Sequence, residues 1–211
     1  MQGITAMERK INARKTTLWI CTTATFMAIN VALSSFGIPV PGGHLYLNDV
    51  IICLAAIILD PLAAFIVGGV GAFLGDFFFY PAPMFVSLVT HGLQAVVISV
   101  FSHYVMKDHP VVASGIGVAV GAVIMIVGYS LGRAFIYSTP QYAVIKLPYQ
   151  ILQAAVGAVF GMILCWKCKL NKLYVAGSHG RKSVAGATRA TSSPVESAKA
   201  DRDPKPDPAR E

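Results

Sequence analysis

Polar side chains stand at a few places inside long apolar runs: Asp76, His91 with Gln94, Arg133, and Gln150 with Gln153. Ionisable groups in lipid are costly, and their presence there is by default a sign of function. A helical rise of about 1.5 Å per residue puts His91 roughly 10 Å into its segment, with Gln94 one turn deeper. Tyr129 and Tyr137 flank Arg133 at four-residue spacing and share its helix face. Carboxylate, imidazole, guanidinium and carboxamide groups at one level can grip and orient a small polar molecule. The same groups could instead tie helices together, through an Asp76–Arg133 ion pair and interhelical hydrogen bonds. Their clustering on one side, beneath loops rich in Pro, Gly and aromatic residues, favours a solvated pocket.

For catalysis the inventory is thin. The chain has no Gly-x-Ser-x-Gly, His-Glu-x-x-His or paired-carboxylate motif, and no Walker A sequence. His44, His91 and His103 fall at different depths, which speaks against one zinc site. Cys165 and Cys168 form a lone Cys-x-x-Cys with no second pair, and read as small residues at a membrane boundary. No metal or cofactor is therefore expected in this chain, and no enzymatic activity. A proton-coupled carrier would want charge near the midplane and an internal repeat, and neither stands out. The alternatives are a stand-alone carrier or six-helix membrane enzyme using His91 and Asp76, and a membrane scaffold whose polar groups are structural.

The elements that must position these groups are apolar helices. The 211 residues are 55% hydrophobic and 13% charged, about half the charge of a soluble domain. Segments 16–36, 47–59, 62–79, 84–106, 111–137 and 148–166 predict an all-α membrane protein with six transmembrane helices. The central stretch 44–83 reads as a helical hairpin reversing at Asp60-Pro61, with Asp as cap and Pro at the first helical position. Its acids Asp49 and Asp76 fall toward one end. Gly68, Gly69, Gly71 and Gly75 smooth the second helix of that hairpin for close crossing, and Ala24, Ala28 and Ala32 stack on one face of the first span. The expected division is a cytoplasmic segment 1–15, a membrane domain 16–170, and a Ser/Ala/Pro/charge-rich tail 171–211 of disordered character.

Charge orients this domain. Of seventeen Lys and Arg, only Arg133 and Lys146 fall toward the side opposite the termini. The positive-inside rule then makes both termini cytoplasmic in a bacterial-type plasma membrane. Because the basic residues flank lipid, nucleic acid is not an expected partner.

The stretch LNDVIICLAAIILDPLAAFIVGGVGAFLGDFFFYPAP, followed by MFVSLVTHGLQAVVISV, resembles the substrate-binding S components of energy-coupling factor (ECF) vitamin transporters. A polar outer start, an LAA-type helix, a Pro turn, a GGxG helix ending in Asp and a Pro-containing loop carry the resemblance, which extends over residues 16–170. It implies a six-helix bundle with an outward pocket that captures a vitamin or cofactor precursor. It implies also a transmembrane T component, docked on the Ala24, Ala28 and Ala32 stripe, and two partner ATPases that alone consume ATP. The candidate substrate-binding set is His44, Tyr46, Asn48, Asp76, His91, Gln94, Tyr129, Arg133, Tyr137, Gln150 and Gln153. His91 stands where several relatives carry a lysine-type residue, and the long tail is not a family feature; both leave the substrate open.

Overall fold

The computed structural model describes residues 2–106 and 108–170, with side chains from residue 16 onward. The expected tail 171–211, Lys107, and the side chains of the expected segment 1–15 lie outside the described residues. Six helices follow one another: α1 (Gln2–Ser34), α2 (Asn48–Ile58), α3 (Pro61–Phe79), α4 (Met84–Tyr104), α5 (Pro110–Tyr137) and α6 (Pro140–Lys167). Five carry a stretch long and apolar enough to cross a membrane; in α1 this is Thr16–Ser34.

The exception in length is α2. Its 11 residues rise only about 16 Å, short of a hydrocarbon core of about 30 Å. It lies at the centre of the bundle, buried along nearly all its length, and packs against α4 and α6. Asp60 ends the α2–α3 reversal as the sequence implies. Its carboxylate accepts from the Ala63 N–H at 3.4 Å, Pro61 takes the first helical position, and Trp19 Nε1 of α1 donates to it.

Helix α1 is fastened along one edge only. Thr23, Asn30 and Ser34 face inward, and Asn30 Nδ2 donates to the Val67 carbonyl of α3 at 2.6 Å. The opposite edge, with Ala24, Ala28 and Ala32, is exposed. In lipid, packing and hydrogen bonds of this kind hold helices together, because hydrocarbon offers no hydrophobic drive between them.

Two details of the sequence reading are amended. The first loop, between α1 and α2, carries a short hairpin in an otherwise all-helical described fold. Strands β1 (Ile38–Val40) and β2 (Gly43–Leu45) pair antiparallel with Val40 opposite Gly43, closed by Pro41-Gly42. Proline followed by a glycine at φ +81 is the pattern of a type II turn. The other correction is that α6 begins at Pro140 rather than near 148, capped by Thr139, so the third loop is short and Lys146 is helical. Pro148 removes one backbone donor inside the helix but does not end it.

Candidate functional site

Three helices converge on Asp49, in the first turn of α2. Gln153 Nε2 of α6 donates to its Oδ2 at 2.6 Å, and Gln94 Nε2 of α4 to its Oδ1 at 3.3 Å. The close crossing is possible because Gly157 lies one turn beyond Gln153; a Cβ there would fall 2.5 Å from Asp49 Cβ. His91 Nδ1 lies 2.8 Å from Gln94 Oε1 and 3.7 Å from Asp49 Oδ1. Both neighbours are acceptor oxygens, so Nδ1 is placed to donate. Beside this hub the Tyr129 hydroxyl donates to Ser87 Oγ at 2.5 Å, and Ser87 donates to Asp76. The His91 and Tyr129 rings are 5.1 Å apart.

Above the hub lies a cavity of about 60 Å³, roofed by the β1–β2 hairpin. Arg133 enters from the last turns of α5, a π-helical stretch of the sort that often marks functional positions. Its Nη1 donates to the Gly42 carbonyl at 3.0 Å, and its Nη2 and Nε reach the Tyr137 hydroxyl at 3.1 and 3.3 Å. From α6, Lys146 Nζ donates to the His44 carbonyl. The Tyr46 N–H donates to Gln153 Oε1 at 3.1 Å, which joins the roof to the hub. Burial first, then the nearby Asp76 charge, pushes the Tyr46 hydroxyl up to about 12, so it stays protonated at neutral pH. Asn48 Oδ1 and His44 Nδ1 are buried without a hydrogen-bond partner among the described residues.

The sequence-derived binding residues all line this cavity except Gln94, which lies behind His91 and orients it. Gln150 also turns partly away, donating to the Met125 and Ile126 carbonyls at 3.2 and 3.3 Å. The Asp76–Arg133 pair considered from sequence does not form, since each has other partners. Sequence reasoning passed over Lys146 and Tyr80 as lining residues, and Asp49 as the hub beneath. For Lys146 a signal was present: with Arg133 it is one of the two basic residues that break the charge bias. Among the described residues no group of three His, Cys, Asp or Glu side chains could hold a metal ion. The arrangement is one for holding a polar molecule: donors above, acceptors below, aromatic rings around.

Known proteins give a consistent account. Over 136 residues, 64% of this chain and 89% of the other, it is 31% identical to a Pyrococcus woesei protein described as an uncharacterized protein in gap 3' region. Residues 14–170 match the model of the family described as ECF-type riboflavin transporter, S component. With most of the chain matched, and with apolar helices built around a polar cavity, the protein belongs to that family, and it is a multi-pass membrane protein of the class that supplies ECF transporters with their substrate-binding subunit.

Proposed function

We propose that this chain captures a vitamin or cofactor precursor from outside the cell for ATP-driven import by partner subunits. The cavity between hub and hairpin carries the reading; two of the residues that line it, Asn48 and His44, hold buried polar atoms, Oδ1 and Nδ1, with no hydrogen-bond partner among the described residues. A buried polar atom without a partner is costly, and a ligand bearing matching groups removes that cost. Tyr46, Tyr80, Tyr129 and Tyr137 around the cavity suit a flat heteroaromatic ring, oriented by His91 and Gln153. Riboflavin, named in the family's description, belongs among the first compounds to test.

In this reading the helices make six spans, with α2 short because bundle rather than lipid surrounds it. Both termini are cytoplasmic and the hairpin faces out. The exposed alanine edge of α1 is the docking face for a transmembrane T component, and two ATPase partners supply the ATP hydrolysis. The chain itself carries no cofactor.

The test is mass spectrometry of small molecules released from gently extracted, then denatured, protein. A stoichiometric vitamin-like compound, lost in a folded His91→Ala variant, is the expected result. A chain that arrives empty, and retains nothing after equilibration with a mixed vitamin pool, overturns the reading.

A further inference from the structure

Arg133 and Lys146 are almost wholly buried, at 8% and 3% exposure, and both line the cavity. Neither has a carboxylate partner: among the described residues the one acid–base contact within ion-pair distance is His91 with Asp49. Burying a cation without a counter-charge is expensive. What these two have instead are neutral acceptors, the Gly42 and His44 carbonyls and the Tyr137 hydroxyl.

The acids nearby do not fill the gap. Asp76, which shares the cavity, is taken by Ser87, and Asp49 below is taken by Gln94 and Gln153. Among the described residues neither carboxylate lies within ion-pair distance of Arg133 or Lys146, so two positive charges stand under the hairpin without a direct counter-charge. The hairpin offers little to cover them. A Cβ on Gly43 would lie 3.8 Å from both terminal guanidinium nitrogens, and one on Gly42 would lie 3.0 Å from Lys146 Cβ. Glycine at 43 leaves the guanidinium facing no side chain from that position, and glycine at 42 lets the hairpin pack close against the Lys146 backbone and Cβ.

Resting on the capture reading, we propose that the substrate is an organic anion of vitamin size, whose carboxylate or phosphate group binds between Arg133 and Lys146. The present cavity of about 60 Å³ is well short of the roughly 300 Å³ or more of a small-molecule site, so the hairpin must lift to admit such a ligand. Lifting it withdraws the Gly42 and His44 carbonyls and frees Arg133 Nη1 and Lys146 Nζ, while Tyr137 keeps its hold on Arg133 Nη2 and Nε. An anionic oxygen then replaces each withdrawn carbonyl, and charge-assisted bonds are about twice as strong as neutral ones. Arg133 gives the planar fork suited to a carboxylate or phosphate, and Lys146 the point charge beside it.

The experiment titrates the full chain in neutral-lipid nanodiscs with matched pairs that differ in one charged group. Suitable pairs are nicotinate and nicotinamide, riboflavin 5'-phosphate and riboflavin, pyridoxal 5'-phosphate and pyridoxal, and pantothenate and pantothenol. Binding is read by thermal shift and calorimetry. In the pair that binds, the anionic member is expected to bind at least roughly tenfold more tightly than its neutral partner. Lys146→Gln and Arg133→Gln should each weaken the anionic member by roughly tenfold and close that gap. A neutral member binding as tightly as its anion overturns the anion site but leaves capture standing. Variants that weaken both members equally overturn it too, since the cations would then only latch the hairpin. If no pair binds at millimolar concentration, capture itself fails. Should the variants not fold, the pair comparison on the unaltered chain decides alone.

Discussion

Replacing Gly157 by alanine tests the construction of the hub at its tightest point. A Cβ there would lie 2.5 Å from Asp49 Cβ and 3.1 Å from the Asp49 carbonyl carbon. Carbon atoms rest at about 3.5–4.0 Å, so α6 must retreat from α2 by about 1 Å, and the backbone it meets cannot step aside. The Gln153–Asp49 hydrogen bond, 2.6 Å long and one turn away, would be stretched past useful length. Overpacking costs about 1–3 kcal/mol and a lost bond to a carboxylate about 1.5–3, while alanine returns about 1 through helix propensity. The net expectation is a loss of about 1.5–5 kcal/mol. Gly115→Ala is the control: its Cβ would meet only Met162 Cε, at 3.9 Å, so propensity alone applies and the variant should be as stable as the parent or slightly more so. Unfolding in mixed micelles of rising SDS content, followed by circular dichroism, compares the two. If Gly157→Ala unfolds at the same SDS fraction as Gly115→Ala, the α2–α6 contact does not hold the hub in place.

Other perturbations probe other links. Asp60→Ala removes both the α3 cap and the acceptor for Trp19; a loss of about 1–2 kcal/mol and altered tryptophan emission are expected, with Asp60→Asn milder because asparagine also caps. Ala28→Leu should abolish uptake in cells with the partner subunits yet leave ligand binding by the purified chain intact; unchanged uptake would remove α1 as the docking face. Tyr46 contributes its stability fully below its ordinary value of 10 and loses it only as pH climbs toward 12, so Tyr46→Phe should change stability equally at pH 7 and pH 9. A difference that disappears by pH 9 would mean the phenol ionises early.

The helical elements were readable because lipid leaves few choices: long apolar runs must be helices that satisfy their own backbone groups. Asp60-Pro61 was equally plain, since cap and first-position proline together admit one local structure. Misreadings came where a local signal was overruled by neighbours. Pro148 looked like a helix start, but Thr139 with Pro140 is the stronger one, and α6 simply does without one backbone bond. The residues that line the cavity were visible as a set, being polar groups at one level, whereas their pairing was not. Asp76 and Arg133 seemed natural partners by charge and depth. Which groups meet depends on helix rotation, and that is set by contacts such as Gly157 on Asp49, between residues more than a hundred positions apart.

The two layers of the site are built to different standards of rigidity, and this bears on how a closed cavity can work. The hub is made of side chains that bond one another from three packed helices, so moving any of them displaces a helix. The roof is a short hairpin whose strands have three residues each, held from below by Arg133, Lys146 and Gln153 through its own backbone groups. Opening the roof breaks these few bonds to backbone, frees Gln153 Oε1, and leaves the Gln153 and Gln94 bonds to Asp49 in place. Local openings of low free energy arise where few contacts hold a segment down. In the proposed capture reading the hairpin can therefore lift for ligand entry while the side chains beneath it stay fixed, and selectivity at depth would not depend on how fast the roof moves.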